Sequence, residues 1–300
     1  EGFALPGFDP GDGVSESVGS AGDINGDGID DIIVGVRSTS PGGRSIAGEA
    51  FVIFGSDEPT NPIRFADFDL QSLNGLNGFR LFGGDPNSDL SNATQNHVAG
   101  RAVGSAGDFN GDGFGDLLVG APGYGIGDGA TFLIFGKADG FQATQDLIGV
   151  DGTDGIKFTG NLKDNIGSHV AAAGDINGDG FDDFVTTAPA ANLQGRSSAG
   201  SNYVIFGHEN FVGATVDIDN LDATQGFRID GAQAQIFQTG VISGGGDFNG
   251  DGFDDLIIGG KSSFYDGLRT GDATVVFGAA NAPANAVLDS ANLDASEGII

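Results

Sequence analysis

A nine-residue acidic loop occurs four times along the chain, over residues 23–31, 108–116, 175–183 and 247–255. Positions 1, 3, 5 and 9 carry side-chain oxygens in every copy, and glycine occupies positions 4 and 6. Glycine lets the backbone curl tightly enough for these oxygens to converge. Hard oxygen donors suit Ca²⁺, which takes about six to eight oxygens at about 2.3 to 2.6 Å. The repeated loop therefore predicts four Ca²⁺ sites.

Position 7 of each loop is expected to add a backbone carbonyl to the four side-chain donors. The motif is not an EF-hand, because an EF-hand needs a bidentate Glu at position 12 and flanking helices, whereas strand-like residues 32–35 follow here. An acidic turn without metal is the alternative, but crowded carboxylates repel one another when no cation neutralises them. The predicted ligands are Asp23, Asn25, Asp27, Ile29 and Asp31; Asp108, Asn110, Asp112, Phe114 and Asp116; Asp175, Asn177, Asp179, Phe181 and Asp183; and Asp247, Asn249, Asp251, Phe253 and Asp255.

The formal net charge of -30, from 42 acidic and 12 basic residues, disfavours nucleic acid as a partner. With 56 glycines and no cysteine, the loops must be held by packing and by metal rather than by disulfides. The sequence contains no apolar run of about 18 residues, so we expect no membrane insertion. It opens on Glu1 without a signal peptide, and we expect a processed segment of a secreted or cell-surface protein.

The similarity between copies extends beyond the loops, which start 85, 67 and 72 residues apart. Each copy has a strand entering the loop, a strand leaving it, a third strand ending in Phe-Gly, and a fourth opening with Gly-Phe or Gly-Ile. This pattern predicts an all-β β-propeller of four-stranded blades, with four repeat units. A calcium β-helix is disfavoured because its period is about nine residues. We expect one region over 1–300, with units at roughly 1–77, 78–154, 155–225 and 226–300.

The unit Gly-Asp-x-Asn-Gly-Asp-Gly-x-x-Asp, closed by Phe-Gly, resembles the FG-GAP repeat of integrin α-subunit N-terminal β-propellers and their bacterial relatives. The resemblance covers essentially the whole chain. The Gly-Ala-Pro element of the repeat is intact only at residues 120–122, which weakens a turn signature but leaves the metal ligands unchanged. Phe-Gly is present in all four units, at residues 54–55, 135–136, 206–207 and 277–278.

The number of blades is the open point of the fold prediction. Members of this family usually close with seven blades, whereas four units fit here. Residues 1–4 and 297–300 both match the start of a fourth strand, so we expect a segment of a longer tandem array. Its open edges would be covered by further blades or by another copy, giving homo-oligomers or filaments. A closed four-bladed ring is the alternative.

The resemblance implies that the calcium loops lie on one face of the propeller and the more variable loops on the other. Variable loops on a rigid repeated scaffold are typical of recognition surfaces, although tolerated insertions would look the same. We expect a non-catalytic, extracellular Ca²⁺-binding scaffold for adhesion, protein interaction or fibre assembly. Its partners would be a protein or glycan on a cell surface, or copies of itself. The alternatives are an accessory propeller of a secreted hydrolase and a carbohydrate-binding lectin.

A catalytic site is hard to assemble from these residues, and we expect no enzyme activity in this chain. The chain has no cysteine, and its three histidines, His97, His169 and His208, fall at different phases of the repeat. The loop carboxylates are better explained as metal ligands than as acid or base groups. Tyr203 lies in an apolar strand and is interpreted as a core residue; the aromatic candidates for a sugar or protein contact are Tyr124, Phe264 and Tyr265.

Overall fold

The computed structural model is all-β, and its strands lie in the order that the repeats predict. It describes residues 5, 7, 14, 16–57, 69–84, 99–125, 127–161, 164–193, 195–209, 213–231, 241–260, 264–265, 268–269, 271–280, 287–290, 293 and 296–299. The strand predicted over residues 1–4 and the histidine His97 lie outside these residues, as do the side chains of Phe264 and Tyr265.

The strands of the described residues are short, between two and six residues each. In chain order they are β1 (Ser17–Gly22), β2 (Asp31–Val36), β3 (Glu49–Ile53), β4 (Gly78–Phe82), β5 (Ala102–Gly107), β6 (Asp116–Ala121), β7 (Ala130–Ile134), β8 (Thr144–Asp146), β9 (Gly155–Thr159), β10 (Val170–Gly174), β11 (Asp183–Ala188), β12 (Ser201–Ile205), β13 (Thr215–Asp217), β14 (Gly226–Asp230), β15 (Ile242–Gly246), β16 (Asp255–Gly260), β17 (Phe264–Tyr265), β18 (Leu268–Arg269), β19 (Asp272–Val276), β20 (Val287–Asp289) and β21 (Gly298–Ile299). Single 3₁₀ turns cover Pro41–Gly43, Leu70–Ser72, Leu147–Gly149 and Ile218–Asn220.

Four sheets are built in the same way, each from four antiparallel strands: the strands on either side of an acidic loop, the strand that ends in Phe-Gly, and the strand that opens with Gly-Phe or Gly-Ile. Sheet 1 has the order β1-β2-β3-β4-β8, sheet 2 β5-β6-β7-β9-β13, sheet 3 β10-β11-β12-β14-β20, and sheet 4 β15-β16-β19-β21. Strands β17 and β18 form a separate hairpin. The fourth strand of sheets 1 to 3 starts at residue 78, 155 or 226, the first residue of the next unit defined above.

Three sheets carry a fifth strand that the repeat pattern does not predict. In sheet 1 it is β8, which pairs with β4 in parallel, opposing Arg80 to Thr144 and Phe82 to Asp146. Strands β13 and β20 join sheets 2 and 3 in the same way. Each of these strands comes from the linker before the fourth strand of the following repeat. Successive repeats are therefore connected by hydrogen bonds at the outer edge of the sheets.

The first strand of every sheet ends in the same β-bulge, where the chain turns into the acidic loop. In sheet 1 the register with β2 shifts between Ser20 and Gly22. The same shift occurs at the equivalent pair in the other three sheets. Gly22 has φ of 66°, a conformation that costs a residue with a Cβ about 1 kcal/mol or more, which explains glycine at this position.

The sheets pack face to face, and their first strands lie side by side. Strand β5 contacts both β1 and β10, and β10 contacts β15. Phenylalanines fill the spaces between the sheets, as the sequence predicts: Phe79 stacks on Phe141 at 4.3 Å, and Phe158 meets the edge of Phe184 at 5.0 Å. Burying one such side chain contributes about 1.5 to 3 kcal/mol. The mostly antiparallel sheets and their packing are consistent with the predicted β-propeller.

Candidate metal-binding loops

All four acidic loops connect the first strand of a sheet to the second, and they share one backbone conformation. In the first loop, Gly26 and Gly28 at positions 4 and 6 have φ of 73° and 87°. The same two positions have positive φ in the other loops, at Gly111 and Gly113, Gly178 and Gly180, and Gly250 and Gly252. Only glycine reaches this region without strain, so the repeated Asn-Gly-Asp-Gly sequence determines the curl of the loop.

The carboxylates at positions 1 and 5 point into the loop. Asp23 accepts hydrogen bonds from the N–H groups of Asp27 at 3.0 Å and Gly28 at 2.8 Å. Asp27 in turn accepts from the N–H of Ile29 at 2.9 Å. Asn25 at position 3 accepts from the N–H of Asp27 at 2.9 Å. The oxygens of positions 1, 3 and 5 thus lie around one turn of the backbone.

The carboxylate at position 9 lies beneath the loop and is buried. Asp31 accepts from the N–H of Ile24 at 3.1 Å with one oxygen and from that of Gly55 at 2.7 Å with the other. Asp116, Asp183 and Asp255 bind the equivalent pair of N–H groups in their own repeats. Position 9 therefore connects the acidic loop to the Phe-Gly element of the third strand, a link that sequence reasoning missed.

The same contact explains why glycine follows phenylalanine at the end of the third strand. A Cβ at Gly136 would lie 2.4 Å from the carbonyl oxygen of Gly115 and 2.6 Å from Cβ of Phe114. At Gly55, Gly207 and Gly278 the nearest backbone oxygen of the loop would be 2.3 to 2.6 Å away. The glycine of each Phe-Gly element therefore packs against the acidic loop of its own sheet. The sequence alone does not show this contact.

Burial raises the pKa of three position 9 carboxylates, those of Asp31, Asp116 and Asp183, and the other acidic groups of the same loop add to the effect. The pKa of Asp31 rises to about 6, and those of Asp116 and Asp183 rise to about 8. Hydrogen bonds from the two N–H groups oppose the rise, while the charges of positions 1 and 5 reinforce it. Crowded negative charge of this kind is stabilised by a bound cation.

The donor set of each loop fits a hard cation in its chemistry. It contains oxygen donors alone, and the Oδ1 atom of Asp108 at position 1 is buried without a hydrogen-bond partner. Within the described part of the chain, no three acidic or histidine side chains already converge as a metal site. The carboxylate at position 9 is turned toward backbone N–H groups and so does not join those of positions 1 and 5. The other two predicted donors, at positions 3 and 7, are an Asn side chain and a backbone carbonyl, which are neither acidic nor histidine groups.

Neighbouring loops are joined to one another across the sheet interfaces. The ring of Phe114, at position 7 of the second loop, lies over Gly26 of the first, where a Cβ would be 2.3 Å from it. Phe181 and Phe253 cover Gly111 and Gly178 in the same way. Asp182 at position 8 accepts from the N–H of Asp108 at 2.8 Å. The side chains at positions 7 and 8 therefore contact the preceding loop. This contact is separate from the role proposed for the backbone carbonyl of position 7.

The other candidate residues are spread over different parts of the molecule. Tyr203 is buried and donates to Asp219 at 2.7 Å, which confirms the core interpretation. Tyr124 packs edge-on against Phe132. His169 is partly buried, and burial, followed by the charge of Arg101, lowers its pKa.

The ends of the first strands opposite the acidic loops surround a cavity of about 330 Å³. All four sheets contribute to its lining, through residues such as Val18, Val103, Val170 and Ile242. Glu16 and Arg101 face each other at its rim, 3.8 Å apart, and Glu16 also pairs with Arg37. This end of the sheets also carries the connections from each second strand to each third strand, because neighbouring strands are antiparallel.

No helix in the described part of the chain is both long and apolar enough to span a bilayer.

A family model described as the FG-GAP repeat matches residues 17–53, 99–134 and 167–205. Each matched segment includes the first three strands of sheet 1, 2 or 3, together with the acidic loop.

Similar proteins fall into two groups. One is phosphatidylinositol-glycan-specific phospholipase D, with the Rattus norvegicus protein 30% identical over 181 residues. The other is integrin alpha subunits, with alpha-PS5 of Drosophila melanogaster 33% identical over 157 residues and alpha pat-2 of Caenorhabditis briggsae 28% identical over 249 residues. These alignments cover 59%, 51% and 80% of this chain, but 19%, 14% and 17% of the three relatives. The chain thus spans a fifth or less of each relative's length.

Proposed function

Since the chain carries FG-GAP repeats, as integrin alpha subunits do, we propose that it is a calcium-binding β-propeller scaffold that presents surface loops to protein partners. In this proposal residues 1–300 form one propeller region of an extracellular protein, and the chain itself is not catalytic. The observation that carries the proposal is the fourfold recurrence of one loop with unchanged oxygen positions, backbone conformation and buried Asp.

The residues at positions 1, 3, 5 and 9, with the carbonyl of position 7, would hold the cation. A bound Ca²⁺ supplies two positive charges that neutralise the loop carboxylates. The chain's own contribution is to fix the turn through the bulge below the loop and through position 9, which ties it to the third strand. A loop held this way stiffens the first three strands of its sheet.

The surface proposed to meet partners lies at the opposite end of the strands. The connections between the second and third strands lie there. Glu16 and Arg101 line the cavity at this end, and Arg37 pairs with Glu16. A rigid scaffold loses little conformational freedom on binding, so loops anchored to it bind at a lower entropic cost. Cell-surface adhesion is the function that this arrangement supports best.

Calcium titration by calorimetry tests the metal part of the proposal. We expect four bound Ca²⁺ per chain after removal of divalent cations, and three for the variant Asp112→Ala. Asp139→Ala removes one exposed carboxylate outside the loops and should keep all four sites. Absence of binding by the wild type, or an equal loss in both variants, would contradict the assignment.

A second candidate function is an accessory propeller beside a catalytic domain. The observation in its favour is that relatives named phospholipase D match this chain over about a fifth of their length. In that case the purified chain would lack activity of its own and would bind the enzyme that carries it. Pull-down with a catalytic domain encoded in the same polypeptide distinguishes this candidate from the adhesion scaffold.

A further inference from the structure

In the part of the chain that the structure describes, sheets 1 and 4 each leave part of one apolar face exposed. On sheet 4, Phe248 and Ile257 are exposed, and on sheet 1, Ile32 is exposed. Val241 of sheet 4 and Val18 of sheet 1 are also exposed, at the point where these faces meet the cavity between the first strands. These five are most of the eight large hydrophobic side chains that are exposed in the described part of the chain. Exposed apolar side chains that cluster on one face indicate an interaction surface.

The equivalent residues inside the molecule are buried between sheets. Phe248 is 66% exposed at position 2 of the fourth loop, whereas Ile24 at position 2 of the first loop is fully buried. Val18 is 63% exposed, whereas its equivalent Val103 is 6% exposed because sheet 1 covers it. The outer faces of sheets 1 and 4 therefore carry the two halves of an interface that occurs three times within the molecule.

The acidic loops also differ between the inside of the molecule and its two outer faces. A Cβ at Gly250 in the fourth loop would meet no atom within 4 Å, whereas a phenylalanine ring covers the equivalent glycine of each other loop. The first loop has Ile29 and an exposed Asp30 at positions 7 and 8, the positions that contact a preceding loop elsewhere. The two halves thus match in their loops as well as in their sheet faces.

Within one copy the two faces do not form this interface. Strand β1 contacts β5, β5 contacts β10, and β10 contacts β15. Among the described residues, no comparably extensive contact joins β15 to β1. Leu5 and Val14 pack on the part of the sheet 1 core formed by Val34, Val36, Phe51 and Ile53, and leave Val18 and Ile32 exposed.

We propose that sheet 4 of one copy of this chain packs on sheet 1 of a second copy, head to tail. Phe248 and Ile257 would meet Val18 and Ile32, and Ile29 would lie over Gly250. The carboxylate of Asp30 would accept from the N–H of Asp247, as Asp254 accepts from that of Asp175 at 2.9 Å. Such a contact is heterologous, so it can extend beyond two copies.

The charge of the chain sets the conditions under which this contact forms. Each copy carries a formal charge of -30, so two copies repel one another at low ionic strength. Salt screens this repulsion, with a Debye length of about 8 Å at 0.15 M and about 3 Å at 1 M. We therefore expect association to strengthen with added NaCl, as apolar contacts remain while repulsion falls.

Sedimentation velocity of the full chain over a range of concentrations and salt tests the proposal. The wild type should form dimers and larger species, and Val18→Asp and Phe248→Asp should each be monomeric alone. An equimolar mixture of the two variants should give one-to-one dimers, because each variant keeps the face that the other has lost. Leu76→Asp, at a residue that is 89% exposed outside both faces, should associate like the wild type.

Circular dichroism verifies first that each variant is folded. A wild type that stays monomeric at high concentration and high salt would overturn the proposal, and would leave the faces to another repeat or to a different partner. Variants that still associate alone, or a mixture that stays monomeric, would also overturn it. Sizing is carried out both in calcium and in excess EDTA, and cation binding is measured separately by calorimetry, so failure of this proposal and failure of the proposed function are distinguishable.

Discussion

At the scale of single residues, the acidic loop contains two kinds of carboxylate. Those at positions 1 and 5 lie within the loop, whereas the position 9 carboxylate is buried and binds two backbone N–H groups. The sequence predicts all of these carboxylates as metal ligands. The spacing of the residues cannot show that the position 9 carboxylate also holds the loop to the third strand. The structural role of position 9 is visible only in the fold.

Asp116→Ala and Asp112→Ala should separate these two roles. Loss of Asp116 leaves the N–H groups of Phe109 and Gly136 buried without their acceptor, which should cost about 2 to 4 kcal/mol even without calcium. Asp112 is exposed, so its loss should change stability by less than about 1 kcal/mol in EDTA and act mainly on calcium affinity. Urea unfolding in EDTA measures both, and equal losses would contradict the distinction.

Gly136→Ala should destabilise the second sheet by about 1 to 3 kcal/mol, because the new Cβ would press on the backbone of Gly115. The matched control is Gly149→Ala, where a Cβ would meet no atom within 4 Å. Thermal unfolding of the two variants provides the comparison. Similar melting temperatures for both would show that the Phe-Gly glycine is not needed for this contact.

At the scale of elements, the repeated strands could be predicted and the connecting strands could not. Apolar segments such as β6 and β11 are buried along their whole length, and their patterns identify them in the sequence. Strands β8, β13 and β20 have only three residues each and mixed polarity, so they give no periodic signal. Each of them pairs with the fourth strand of the preceding sheet, about 60 residues earlier in the chain, which local sequence cannot indicate.

Ion pairs reinforce two of these connections. Arg196, in the connection between β11 and β12, binds both carboxylate oxygens of Asp289 in β20, at 2.9 and 3.2 Å. Arg44 makes the equivalent pair with Asp146 in β8. Planar, two-point pairs of this type hold a fixed geometry better than single contacts do.

A double-mutant cycle on Arg196 and Asp289 should give a coupling energy of about 0.5 to 1 kcal/mol, because both side chains are partly exposed and solvent screens the pair. The coupling should shrink in 1 M NaCl. The pair of Lys137 with the more exposed Asp154 serves as the control and should couple more weakly. A coupling of zero for Arg196 and Asp289 would show that this ion pair does not help to hold β20.

At the scale of the whole molecule, the repeats place four similar sheets side by side with their acidic loops in one row. Contacts between loops follow the same order as contacts between sheets, from Phe114 over Gly26 to Phe253 over Gly178. The sequence predicts the repeated sheets from the period of the motif. It could not predict which faces are covered, because residues equivalent in sequence differ in exposure according to the presence of a neighbouring sheet.

Thermal unfolding of the chain in calcium and in excess EDTA tests the central claim, that the acidic loops are cation sites that stabilise the scaffold. Each site occupied at a hundred times its Kd contributes about 2.7 kcal/mol, so four sites together should raise the melting temperature by about 10 °C or more. The same melting temperature in both buffers would contradict the account and would show that the loops are acidic turns stabilised by hydrogen bonds alone.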